Sequence, residues 1–138
     1  MRLFIIYIFL SLGLFSCVNN KPDDDSAGDE TGGTALIEFN KLSHDFGKIS
    51  EGELVACVFK FENKGDADLL ISSATTSCGC TVPEFDDSPV PPGGSGHVEV
   101  VFDSAFRHGI QNKTITIRSN AKRPVVILKI KAEVITKN

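Results

Sequence analysis

The chain has 138 residues, a net charge of −4, four cysteines, ten phenylalanines and no tryptophan. That length suits one domain with one core, and so few cysteines do not make a disulfide-stapled scaffold. From Thr34 onward the charges nearly cancel, at −1, so there is no basic field for phosphates and no nucleic-acid partner is expected.

The first residues read MRLFIIYIFLSLGLFSC. Arg2 gives a positive start, Leu3 to Phe15 an uncharged apolar run, and Ser16-Cys17 a small-residue end. That order is a signal peptide, and the run is shorter than the ~20 residues that cross a bilayer. The ending resembles the lipobox of bacterial lipoproteins. The resemblance implies that residues 1–16 are removed and that Cys17 is lipidated as the new N-terminus. It implies a lipoprotein anchored to the membrane of the bacterial cell envelope, outer membrane ahead of inner, facing the periplasm or the cell surface. Disulfides are permitted there.

Residues 17–35 follow as the lipidated cysteine and a flexible acidic tether. Asp23, Asp24, Asp25, Asp29 and Glu30 fall within eight residues, and too little apolar area accompanies them to offset ordering entropy. The acidic run reads as a solvated linker, and it also resembles export tags of surface-displayed lipoproteins. Asp25-Ser26-Ala27 fits a short bacterial O-glycosylation pattern, which makes Ser26 a candidate acceptor. Asp103-Ser104-Ala105 fits the same pattern in a less accessible place.

Residues 36–138 are the expected domain, and period two dominates it, the mark of half-buried strands. Leu36 to Phe39 is a short candidate. Glu53 to Glu62 puts Val55, Cys57, Phe59 and Phe61 on one face. Leu69 to Ser73 is another short candidate. His97 to Phe102 turns Val98, Val100 and Phe102 inward, and Thr114 to Arg118 alternates. The last strand sets Val126, Leu128, Ile130, Ala132 and Val134 against Lys129 and Lys131. Turns are marked at Asn63-Lys64-Gly65-Asp66, Pro91-Pro92-Gly93-Gly94, Arg107-His108-Gly109 and Ser119-Asn120. Short strands with Gly/Pro turns and no sustained 3.6 period predict an all-β sandwich.

The ordered set His44-Asp45-Phe46-Gly47-Lys48-Ile49, Phe59-Lys60-Phe61-Glu62-Asn63-Lys64-Gly65, Ser77-Cys78-Gly79-Cys80-Thr81, Pro91-Pro92-Gly93-Gly94 and Ser119-Asn120-Ala121 resembles a bacterial Ig-like domain of unknown function marked by an SCGCT motif. That family is akin in architecture to major sperm protein and hydin-type domains. The resemblance covers roughly residues 36 to 135 and implies an immunoglobulin-like seven-strand sandwich. It implies no activity.

Cys78-Gly79-Cys80 is the one constellation with chemical reach. Two thiols flanking a glycine can be a structural pair at a turn, converge on a soft ion such as Cu(I), cycle between dithiol and disulfide, or pair with another molecule. Bridging residues two apart closes a small ring, against the usual Cα separation of ~5.5–6 Å. His44, His97 and His108 are isolated in sequence and complete no zinc set. Cys57 alternates with Val55 and Phe59, as a buried inert thiol would; a bridge to Cys78 or Cys80 is the alternative. Asp45-Phe46-Gly47 matches a kinase tripeptide without the rest of a kinase, so Phe46 is expected to plug one end of the sandwich and Gly47 to turn the chain. No catalytic constellation is found, and no cofactor is expected unless copper binds the cysteine pair. The expected function is a lipid-anchored binding or scaffolding module for an envelope protein or glycan. The alternative is copper binding or thiol redox work at Cys78 and Cys80.

Overall fold

A computed structural model describes residues 32–136. Among the described residues there are eight strands: β1 (Ile37–Phe39), β2 (Ser43–Ser50), β3 (Leu54–Asn63), β4 (Ile71–Thr76), β5 (Thr81–Phe85), β6 (Ser95–Asp103), β7 (Gly109–Ser119) and β8 (Val125–Ile135). They form two four-stranded sheets, ordered β1-β3-β6-β5 and β2-β8-β7-β4. This is the expected immunoglobulin-like sandwich, with eight strands where seven were expected.

The core forms where the alternating faces meet. On β3, Cys57, Phe59 and Phe61 are buried, and Val55 packs against them half-exposed. Val98, Val100 and Phe102 come from β6, Ile115 and Ile117 from β7, and Leu128, Ile130, Ala132 and Val134 from β8. Each large side chain removed from water contributes about 1.5–3 kcal/mol. Register preserves the faces: Cys57 stands opposite Val100, and Ile115 opposite Leu128. A slip of one residue would turn every one of these side chains to solvent.

β2 corrects one expectation. Gly47 does not turn the chain at an end of the sandwich; it lies inside a strand that pairs in parallel with β8. At φ +70° it forms a bulge, and the register shifts between Asp45 and Lys48. Its N–H donates to the Asp45 carboxylate at 2.8 Å. Phe46 packs against the core from this strand, edge-on to His44 at 4.5 Å between ring centres.

The strands define two poles. At one, the chain enters: the Thr34 N–H donates to the Asp66 carboxylate, and Lys122 N donates to the Ala35 carbonyl at 2.9 Å. Ala35, the last residue of the expected tether, is buried in the core. Asn63 closes this pole from within, its Nδ2 donating to the Ala67 and Val90 carbonyls. The far pole gathers the β2–β3 turn, the β4–β5 crossing and the β6–β7 loop.

Candidate functional site at the far pole

The β4–β5 crossing carries the chain from one sheet to the other through Ser77-Cys78-Gly79-Cys80. Hydrogen bonds tie it at both ends. Ser77 N donates to the Thr114 carbonyl at 3.1 Å, and Asp103 N donates to the Cys80 carbonyl at 2.9 Å. Between them, the Thr76 hydroxyl donates to the Cys78 and Thr81 carbonyls, at 2.7 and 3.1 Å. Within this frame Cys78 and Cys80 are joined by a disulfide with Cα atoms 5.4 Å apart. Both are half-buried, Gly79 between them is exposed, and the Cys80 side chain packs against the core.

A ring this small restricts the unfolded chain little. The chain-entropy relation gives about 1.6 kcal/mol for a three-residue loop. The hydrogen bonds of the crossing do not depend on the bond between the sulfurs, so the disulfide is a minor staple.

Cys57 is free and buried, so the alternative bridge to Cys78 or Cys80 is not formed. Burial pushes its thiol up to about 11, against the opposing pull of Lys41. Such a thiol is inert at neutral pH. Among the described residues no three His, Cys, Asp or Glu side chains converge as metal ligands. A disulfide offers no thiolate to Cu(I) either, so the bridged pair does not fit copper.

Several large apolar side chains are exposed at the far pole with the disulfide. Leu54 follows the β2–β3 turn and is 67% exposed; Val82, two residues after Cys80, is 53% exposed. Phe106, in the β6–β7 loop, is 91% exposed and has φ +59°. A bulky side chain with positive φ is a backbone outlier, and such strain persists only where surrounding structure holds it. Here Arg107 N donates to the Ser104 carbonyl, and Ser104 is itself wholly buried. Phe106 and Thr76 were not singled out in the sequence, and Thr81 was quoted within the SCGCT motif without a role of its own. Phe106 precedes the marked turn Arg107-His108-Gly109, and its exposure was the one property that alternation did not show.

Ser104 is excluded as a modification site in the folded protein, because its hydroxyl is buried and bonded to the Ser50 and Glu53 carbonyls. Cys17 and Ser26 lie outside the described residues.

A groove of about 510 Å³ runs over the second sheet, its walls largely apolar, with Ser43, Asp45, Asn112, Thr114, Lys129 and Lys131 among the side chains that line it. Lys131 reaches Asp45 at 3.2 Å. Asp45 is held below the usual carboxylate range first by the Gly47 N–H and then by Lys131. Thr114 links groove and crossing, since its carbonyl accepts from Ser77.

Residues 37–134 match the family described as "Protein of unknown function (DUF1573)". No curated protein matches the chain. Among solved structures, a protein of unknown function from Porphyromonas gingivalis W83 is similar, with a TM-score of 0.63 and 24% identity over 72% of this chain. This chain covers 47% of that one, less than half its length. The PapD-like domain 7 of human CEP192 is similar at a TM-score of 0.60 and 13% identity, over 76% of this chain and 89% of that domain. The secreted serine protease VesC of Vibrio cholerae contains a similar region, with a TM-score of 0.55 and 16% identity over 71% of this chain and 23% of VesC. At these identities the likeness is one of fold.

Proposed function

The chain belongs to the DUF1573 family of unknown function, and we propose that it is a lipid-anchored Ig-like module of the cell envelope that binds or scaffolds a partner at its far pole. Cys17 carries the lipid, and several acyl chains hold such a protein firmly where one holds it marginally. The anchorage is the outer membrane rather than the inner, with the domain facing the periplasm or the cell surface. The observation that carries the binding role is the placement of the poles. The chain enters the sandwich at Thr34 and Ala35, while Phe106, Leu54, Val82 and the disulfide crossing lie at the opposite end. A tether at one pole presents the other to a partner. Exposed aromatic and aliphatic side chains suit an envelope protein. In the groove, Ser43, Asn112, Thr114 and Lys129 offer hydrogen-bond partners to the hydroxyls of a glycan, and the largely apolar walls offer a face to its rings. Cys17→Ser tests the anchorage: the variant should leave the membrane fraction for the soluble one. Retention of the variant, with no lipid mass on the wild type, contradicts it.

A second reading is thiol redox work at Cys78 and Cys80, with Cu(I) binding reserved for the reduced pair. It is favoured by a disulfide that closes a three-residue ring on a half-exposed crossing, where its contribution to stability is small.

A further inference from the structure

We propose that Thr81 makes Cys78 the sulfur released when the Cys78–Cys80 bond exchanges with a dithiol, an inference that rests on the redox reading of the pair. Thr81 is a buried polar residue at 3% exposure. Among the described residues its hydroxyl has one hydrogen-bond partner, the Cys78 sulfur at 3.7 Å. A disulfide sulfur is a weak acceptor and a thiolate a strong one, so this buried donor is under-used in the oxidised state. Its position does not depend on the disulfide. Thr81 pairs with Phe102 in the β5–β6 ladder, and the preceding carbonyl is held by Asp103 N. The neighbouring hydroxyl, on Thr76, is committed to backbone carbonyls. Cys80, by contrast, packs against apolar core side chains, where a thiolate is disfavoured.

The exchange then has a direction. A thiolate of the dithiol attacks Cys80 Sγ, forming a mixed disulfide, and the Cys78–Cys80 bond breaks with its electron pair on Cys78 Sγ. The Thr81 hydroxyl donates a hydrogen bond to that thiolate without giving up its proton. The second thiolate of the dithiol attacks its own partner sulfur in the mixed disulfide and frees Cys80. The two protons lost by the dithiol balance the two gained by Cys78 and Cys80. Two electrons pass to the protein, and the dithiol becomes a disulfide. A better-stabilised leaving thiolate departs faster.

The test uses the chain with Cys17→Ser and Cys57→Ala, which remove the two thiols outside the pair, and dithiothreitol as the dithiol. Reduction rates are compared for Thr81, Thr81→Ser and Thr81→Val, with Thr81→Ala as the substitute if the valine variant does not fold. Cys78 is titrated by thiolate absorbance in a Cys80→Ser background. Loss of the hydroxyl should raise the Cys78 thiol by about one pH unit, because the charged form loses its hydrogen bond, and slow reduction several-fold, because only part of that charge has developed when the sulfur leaves. Thr81→Ser should restore both, and Thr76→Val should leave the titration in place. Equal rates and titrations with and without the Thr81 hydroxyl, in a protein that dithiothreitol does reduce, overturn the role of Thr81 and leave the redox reading standing. A folded wild type that dithiothreitol cannot reduce overturns both.

Discussion

The Ser104 hydroxyl lies 2.8 Å from the Glu53 carbonyl oxygen and so fastens the β6–β7 loop to the β2–β3 turn. The same hydroxyl is 2.9 Å from the Ser50 carbonyl, and the Ser104 N–H also donates to Glu53. Two loops of the far pole thus share one buried anchor. Ser104→Ala should lower stability by about 1–3 kcal/mol, because the carbonyls lose a buried donor. The denaturant midpoint reads the change, and mass spectrometry of the natively folded protein should find Ser104 unmodified.

Cys57 should resist a thiol reagent in the native protein and react on unfolding. Cys57→Ala should cost about 1 kcal/mol, and Phe59→Ala about 3–5 kcal/mol through the cavity it leaves. Cys57→Asp should cost more than Cys57→Ala, because a carboxylate would lose water without gaining a partner. Native labelling and the midpoints of the three variants decide. Rapid labelling of folded Cys57 would contradict the burial seen on β3.

Two glycines should respond differently to alanine. A Cβ on Gly65 would strike the backbone of Thr34 to Leu36, while one on Gly47 meets open space and suffers only the strain of φ +70°. Gly47→Ala should cost about 1 kcal/mol. Gly65→Ala should cost more, since backbone cannot swing aside, and should loosen the entry pole. Amide exchange at Ala35 and Leu36, compared between the two variants, checks the location of the damage.

His44 should give stability a pH slope. Burial and then Lys41 lower its pKa from 6.5, with Asp45 opposing them. The folded state therefore binds fewer protons than the unfolded chain once pH falls below about 6.5, and stability declines with acid until the folded ring also titrates. His44→Gln should flatten that slope just below neutrality. An unchanged slope in midpoints measured across this range would contradict the assignment.

Sequence pattern made β3, β6, β8 and the second half of β7 legible because each buries one face by alternation; the first half of β7, Gly109 to Lys113, has no apolar alternation and was not read. β2 was hidden by its bulge: Gly47 shifts the register, so residues before and after it do not share one alternation. β5 was hidden by brevity and by Pro83, tolerable because β5 is an edge strand. The cysteine pair stood out, but its bonding did not. A three-residue ring disfavours a bridge, yet the crossing accommodates one at 5.4 Å between Cα atoms. Thr81 stood in the SCGCT motif without a role, since its importance lies in burial and in a neighbour three residues away.

The polarity of the module is tested most directly by photo-crosslinking in intact cells. A photoreactive residue replaces either Phe106 at the far pole or Lys122 at the entry pole, both exposed. The account predicts discrete adducts with an envelope protein or glycan from position 106, and none from position 122. Adducts from position 122 with none from 106 would contradict it.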